Sequence, residues 1–409
     1  MLAIVARALW SNAYMFASRT NWNLTVNRLS QSLARIRASG EKLLDLTASN
    51  PTECGFRYDG NTILKAFINP AALKYHPQPR GLATARKAVR EYYAGSRVSP
   101  GDLFLTSSTS EAYTFALRLL CEPGEELLVP APSYPLFEFL ADIQDVKLVS
   151  YPLIYDHGWQ IDLHALEQAI NGRTRGIVVV NPNNPTGNFV RQEEVVELSR
   201  ICSAHELAII CDEVFLDFNL TAAKPFSFVN NTGALTFTLS GLSKVSGLPQ
   251  MKLAWLVVGG PESLKREAAA RLEVIADTYL SVSTPVQLAA PALLGQRDGF
   301  QRQLLSRIRQ NLAELDSQMA EQNQCSRLAV DGGWYAIVRV PAVKSDEDLA
   351  IELLEQRNVH VHPGHFYNFP REGYLVVSLI TPEQDFAEGI SELLEAVASA
   401  GTEPMSVRS

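Results

Sequence analysis

The chain has 409 residues, 46% hydrophobic and 20% charged, which fits a folded globular protein of two or three domains and excludes a disordered or collagen-like one. Lysine and arginine number 36 against 44 aspartates and glutamates, a formal net charge of −8, and no basic run offers a face to nucleic acid. Five scattered cysteines, Cys54, Cys121, Cys202, Cys211 and Cys325, form no paired spacing, so neither a disulfide framework nor a zinc site is expected and a cytoplasmic protein is.

Residues 1–19 read as a floppy extension. The apolar stretch from Met1 to Ala17 is interrupted by Arg7 and has no positive charge ahead of it, unlike a signal peptide. It is also too short and broken for a membrane span, and Met15 is a second candidate start. Residues 20–60 form an N-terminal arm and part of a small domain. A short strand over Leu43–Thr47 ends in the turn Ser49-Asn50-Pro51-Thr52. Pro79-Arg80-Gly81 then breaks the chain ahead of a helix over 82–93.

From 102 to 258 the pattern alternates. Apolar runs at 103–105, 126–130, 146–151, 176–180, 207–211, 234–239 and 253–258 are separated by helical spacing at 110–121, 134–143 and 192–203. Continuous apolar strands between helices predict an α/β fold, with a three-layer large domain over 61–300 built on a mostly parallel seven-stranded sheet. Residues 261–319 are helical in pattern, broken at Ser283-Thr284-Pro285. The part over 301–409 reads as a smaller α+β domain completed by the N-terminal arm. Its strands lie at 334–340, 360–362 and 374–379 and its helices at 345–357 and 382–399.

Ligands of open α/β sheets bind at the carboxyl ends of the strands, so the residues following each strand carry the functional argument. After 103–106 come Ser107, Ser108, Thr109 and Ser110 at a helix start, which suits either a plain cap or a phosphate cradle. After 176–180 come Asn181-Pro182-Asn183-Asn184-Pro185-Thr186-Gly187, a turn or a rigid polar loop. After 207–211 come Asp212 and Glu213, and after 234–239 come Ser240-Gly241-Leu242-Ser243-Lys244. Taken alone, an acid at a strand end is a cap or a partner for a cationic ring, and a loop lysine is most often a solvated charge.

In their order and spacing, Asn184-Pro185-Thr186-Gly187, Asp212-Glu213 and Ser240–Lys244 resemble the pyridoxal-phosphate-dependent aminotransferases of class I/II. Tyr75, Pro132-Ser133-Tyr134-Pro135 and Val361-His362-Pro363-Gly364 fit the same pattern. The likeness runs from about residue 40 to the C-terminus. It implies pyridoxal 5'-phosphate in a Schiff base with Lys244, Asp212 on the pyridine nitrogen, Asn184 on the phenolic oxygen and Tyr134 stacked on the ring. Further, it implies the phosphate on Ser108, Thr109 and Ser110, and a homodimer in which Tyr75 reaches the partner's site. An amino-acid donor and a keto-acid acceptor are the implied substrates; a C–S lyase or a biosynthetic cyclase is the alternative on this scaffold.

Four departures from the pattern stand out. Lys252 occupies the usual place of a phosphate-gripping arginine, keeping the charge without the two-pronged grip. Gly241 takes the place of a hydroxyl residue, with Ser240 and Ser243 as nearby substitutes. Phe215 stands where many members carry a tyrosine that bonds the phenolic oxygen. Val376 stands where members carry the arginine for the substrate carboxylate. Asn50, Arg57, Arg339 and Arg371 are the candidates to replace that arginine, with Asn50 favoured. His360 and His362 are expected on one strand face without metal, and Trp334 is read as core.

Overall fold

The computed structural model describes residues 15–400. Helix α1 (Arg28–Ser39) is capped by the Asn27 side chain and closed by Gly40 at φ 76°. After β1 (Leu44–Asp45), helices α2 (Gly60–Lys65) and α3 (Ala83–Tyr92) lead into the large sheet. There follow β2 (Leu103–Thr106), α4 (Thr109–Leu120), β3 (Glu126–Ala131), α5 (Leu136–Asp142), β4 (Lys147–Tyr155), β5 (Trp159–Ile161) and α6 (Leu163–Ala169). Next come β6 (Thr174–Val180), α7 (Gln192–Ala204), β7 (Ala208–Asp212), β8 (Thr236–Gly241), α8 (Leu242–Val245) and β9 (Ala254–Gly259). Helices α9 (Glu262–Tyr279), α10 (Thr284–Gly295) and α11 (Arg297–Ala320) precede β10 (Ser326–Arg327), β11 (Tyr335–Arg339), α12 (Asp346–Arg357), β12 (Val359–His360), β13 (His362–Pro363), β14 (Tyr374–Ser378) and α13 (Glu383–Ala400).

The large sheet has the order β2-β9-β8-β7-β6-β3-β4-β5. Strands β8, β7, β6, β3 and β4 are parallel, β9 runs antiparallel between β2 and β8, and β5 folds back on β4. It therefore has eight strands rather than the expected seven. The extra strand is three residues long and follows a reversal at Asp156-His157-Gly158, where His157 takes φ 50°. So short a strand leaves no readable periodicity. One sheet face buries Phe104, Leu127, Val178, Ile210 and Leu239 with α4, α5 and α9; the other buries Leu128, Ile177, Val179, Ile209 and Cys211. Burial on both faces is why these strands read as unbroken apolar runs.

A second sheet, β10-β11-β14-β13, and the parallel pair β1–β12 lie in the C-terminal part. The expected strand over 360–362 is thus two short pieces that join different partners. The N-terminal arm packs here: Ser32 Oγ donates to Glu355 (2.6 Å), and β1 lies against β12. The anticipated boundary at 300 and 301 falls inside α11, one continuous 24-residue helix. Of the expected floppy extension, residues 1–14 lie outside the described residues. Arg19, by contrast, is anchored on Asp145 (2.6 Å) beside the Trp22–Asp142 hydrogen bond (2.7 Å).

Candidate active site

Near the carboxyl ends of the parallel strands, Lys244 and Tyr134 both come within electrostatic range of Asp212. Strand β2 hands over to α4 through Ser108, whose hydroxyl accepts from Glu111 N (3.1 Å) while the Glu111 carboxylate accepts from Ser107 N (2.6 Å). Ser108 is therefore spent on the cap. The hydroxyls of Thr109 and Ser110 make no hydrogen bond among the described residues, and the first-turn N–H groups point out of a 12-residue helix. The cap therefore leaves other donors of this turn free for an anion.

One helical turn beyond Thr109, on the same face, Tyr113 donates its hydroxyl to Asp212 Oδ2 (3.2 Å). The other Asp212 oxygen accepts from Val214 N (3.1 Å). Burial pushes the Asp212 carboxyl up to about 6, against these two hydrogen bonds and the nearby Lys244 charge, which favour the anion. Glu213 faces away from this chemistry. It is fixed by Ser227 Oγ (2.7 Å) and Phe228 N (2.6 Å), and burial raises it to about 7.

In the loop after β6, Asn183 is the hub. Its amide donates to Pro132 O (3.0 Å) and Thr186 Oγ1 (2.7 Å), and its carbonyl accepts from Ser133 Oγ (2.9 Å), fixing the segment that carries Tyr134. Asn184 keeps a buried side-chain oxygen with no partner among the described residues, as does the hydroxyl of Ser240. Orphaned buried polar atoms are rare enough to call for a ligand or a water.

Lys244 sits on α8, the single helical turn after β8. Its Nζ donates to Ser49 O (3.4 Å) and stands 4.6 Å from the Trp334 ring and 5.5 Å from the Phe215 ring. Burial lowers the amine from 10.5 to about 8, while Asp212 and Cys54 act to keep it charged. The turn is held from outside by Tyr58 Oη donating to Gly247 O (2.9 Å) and Gln301 Nε2 donating to Val245 O (2.8 Å). Phe215, where a tyrosine was the expectation, is locked edge-on between Phe218 and Trp334 and offers the amine a π face instead of a hydrogen bond. Trp334 is fully buried, as expected of core, yet it also touches the lysine.

Gly241 has a steric reason. A Cβ there would stand 2.8 Å from the Cβ of Ala254, its partner across β8 and β9, so no hydroxyl residue fits unless position 254 gives way. Ser243 is partly exposed beside it, and Lys252 is exposed at φ 51° directly before Leu253, whose carbonyl accepts from Leu242 N (2.9 Å). Tyr134 is 43% exposed at the mouth of the site. Tyr75 is 79% exposed and makes no hydrogen bond or ring contact among the described residues.

The carboxylate candidates separate clearly. Val376 is buried in β14 between Ile337 and His362. Arg339 is exposed at the far end of β11, and Arg371 there donates to Tyr374 Oη (3.2 Å). Arg57 is exposed, its backbone clamped on both sides by Gln303 (2.9 Å each). Asn50 lies next to Ser49, the residue that Lys244 touches. Its carbonyl oxygen is occupied by Thr52 N (3.2 Å) and Oγ1 (2.7 Å), which leaves its NH2 as the free end. His360 and His362 do meet, with ring centroids 5.9 Å apart. His362 Nδ1 pairs with Tyr367 Oη (3.0 Å), and burial pushes it down to about 4, so it is neutral near pH 7. Among the described residues no three His, Cys, Asp or Glu side chains could hold a metal ion.

The donor set fits pyridoxal phosphate: a desolvated amine, an acid at a strand end, unpaired buried polar atoms and a helix start with free hydroxyls. Comparison with known proteins agrees. A family model described as aminotransferase class I and II matches residues 58–391. The glutamate-pyruvate aminotransferase AlaA of Escherichia coli K12 is 28% identical over 354 residues, 82% of this chain and 85% of that protein. An alanine aminotransferase of Mycobacterium tuberculosis H37Rv is 28% identical over 378 residues, 89% and 87% of the two chains. A crystal structure of an aminotransferase from Escherichia coli superposes with a TM-score of 0.82 at 26% identity, covering 91% of this chain and 95% of that one. This chain is a pyridoxal-phosphate-dependent transaminase of the class I and II aminotransferase family.

Proposed function

We propose that Lys244, Asp212 and Tyr134 carry the transfer of an amino group from an amino-acid donor to a keto-acid acceptor. Pyridoxal phosphate supplies a carbonyl that condenses with amines and a ring that accepts charge from the carbon being deprotonated. The protein supplies the rest. Lys244, with its amine brought down to about 8, is a base near neutral pH and holds the proton removed from the donor's Cα. Asp212, an anion steadied by Tyr113 and Val214, would serve the ring nitrogen. Tyr134 would cover the ring, and Asn184 would offer its amide to the ring oxygen. Thr109, Ser110 and the α4 N–H groups opened by Ser108 would hold the phosphate, with Ser240, Ser243 and Lys252 alongside. Asn50 would offer its free amide to the substrate.

The observation that supports this reading best is the half-buried amine of Lys244, placed within charge range of Asp212 and over two aromatic rings. The test is a half-reaction. The cofactor-loaded protein is mixed with single amines and no acceptor, and its absorbance is followed. L-Amino acids should convert the resting band to that of the amine form of the cofactor. Release of ammonia and a keto acid without that conversion would assign the chain to the lyase reading instead.

A homodimer completed by Tyr75 is the accompanying proposal. Leu64, Ile68, Leu73 and Tyr75 are 69–91% exposed over one short segment, an apolar stretch that one subunit leaves uncovered. Sedimentation should give twice the 45.1 kDa chain mass, and Tyr75→Phe should loosen cofactor retention without dissociating the dimer. A monomer that retains the cofactor fully would overturn this. Five free cysteines, four of them buried, support a reducing cytoplasmic location, which fractionation of the source cells tests.

A further inference from the structure

Strands β11 and β14 pair with Tyr335 opposite Ser378 and Ile337 opposite Val376. Directly opposed residues, and residues two apart on one strand, share a sheet face. Tyr335 therefore rises from the same face as Val376, one diagonal step nearer the start of β11, where Trp334 meets Lys244. Its ring lies 6.4 Å from Phe215 at 89°, and Phe215 is the ring on which the Lys244 amine stands. The Cys54 thiol, which donates to Asn50 O (3.2 Å), is close enough to act electrostatically on both Tyr335 and Lys244.

Tyr335 is only 8% exposed, and its hydroxyl makes no hydrogen bond among the described residues; it is not one of the fully buried unpaired atoms, so the oxygen stays open to an incoming acceptor. The neighbouring phenol of Tyr367 already pairs with His362, whereas Tyr335 keeps a free donor, as the buried Trp334 Nε1 beside it does. Burial raises its pKa above the usual phenol range, and it stays a donor at every working pH. Asn50 presents a second free donor, its NH2, from the arm that touches Lys244.

We infer that the Tyr335 hydroxyl and the Asn50 amide together form a neutral hydrogen-bonding anchor for the donor's carboxylate, in place of a guanidinium. The inference deepens the transfer chemistry assigned to Lys244 and rests on it. A guanidinium selects a negative charge, whereas two neutral donors select an acceptor oxygen. The site should accordingly tolerate a carboxamide where a carboxylate normally sits.

The test uses the cofactor-loaded dimer and two unreactive probes, propionate and propionamide, as competitors of the amino-donor half-reaction. Wild type should bind the two within about tenfold of each other. Tyr335→Phe, which keeps the ring, should weaken both, and raise the donor's saturation constant, by roughly 10- to 100-fold, with the limiting rate nearly unchanged. Cofactor content and melting temperature should match wild type. Two results overturn the anchor: Tyr335→Phe binding propionate as wild type does, or wild type preferring propionate by more than about 100-fold with Arg57→Gln abolishing the preference. If Lys244→Met still transfers, the underlying assignment fails whatever Tyr335→Phe does; if only Lys244 matters, the anchor alone fails.

Discussion

Lys244→Met is expected to lower single-turnover amino transfer by about 10⁴-fold, the upper end for removal of a positioned acid–base group, because no other lysine among the described residues acts on Asp212. The same change should make the cofactor-free protein more stable. A half-buried lysine lowered from 10.5 to about 8 carries a cost of roughly 3 kcal/mol in its charged form. The sign follows from linkage. Below pH 8 both folded and unfolded chains bind this proton and the cost is full. Between pH 8 and 10.5 the folded chain releases it first, and the cost fades. The melting advantage of methionine should therefore be largest near pH 7 and gone by about pH 10.5. Capture of pyridoxal phosphate by the wild-type apo-protein, followed by absorbance, should accelerate through pH 8, since only the free amine condenses. A capture midpoint near 10.5 would show an ordinary solvated lysine.

The large sheet was readable because strands buried on both faces leave uninterrupted apolar runs, and the runs at 103–105, 176–180, 207–211 and 234–239 each gave way to the polar residues from which the candidate site was read. What escaped was short or non-local. Strand β5 is three residues long, and helix α1 went unread although Leu29, Leu33 and Ile36 line one face and Asn27 and Gly40 mark its two ends plainly. Tyr113 was within reach of a spacing argument, four residues past Thr109 on one helix face, but its bond to Asp212 joins positions 99 apart. Cys54 carried no signal of its own, and Tyr335 only its place in Gly332-Gly333-Trp334-Tyr335, a glycine-then-aromatic strand start resembling the family's. Their proximity to Lys244 depends on β11 of the second sheet and the N-terminal arm converging on one corner, which no local pattern encodes. Gly241 is instructive in the opposite direction. The sequence shows a missing hydroxyl, and only the cross-strand Ala254 shows that the missing atom would not fit.

Asp212→Asn is the second large effect expected, a loss of about 10²- to 10³-fold in kcat/KM, comparable with removing one aimed charge from a preorganised site. Asparagine is a fair substitute because the fold should survive it. Val214 N can still donate to the amide oxygen, and the Tyr113 hydroxyl can rotate to accept from the new NH2. What is lost is the negative charge opposite the ring nitrogen. Tyr113→Phe separates charge from support. It removes one of the two hydrogen bonds that hold Asp212 down against burial, so the carboxyl should rise above about 6. The acid limb of the kcat/KM profile should then move to higher pH, with activity on the plateau within about tenfold of wild type. In Asp212→Asn that limb should vanish, because the group that titrates is gone, and adding Tyr113→Phe to it should cost little more. An Asp212→Asn enzyme that transfers normally, or a Tyr113→Phe limb that moves toward lower pH, would mean that the charge serving the ring lies elsewhere in the site.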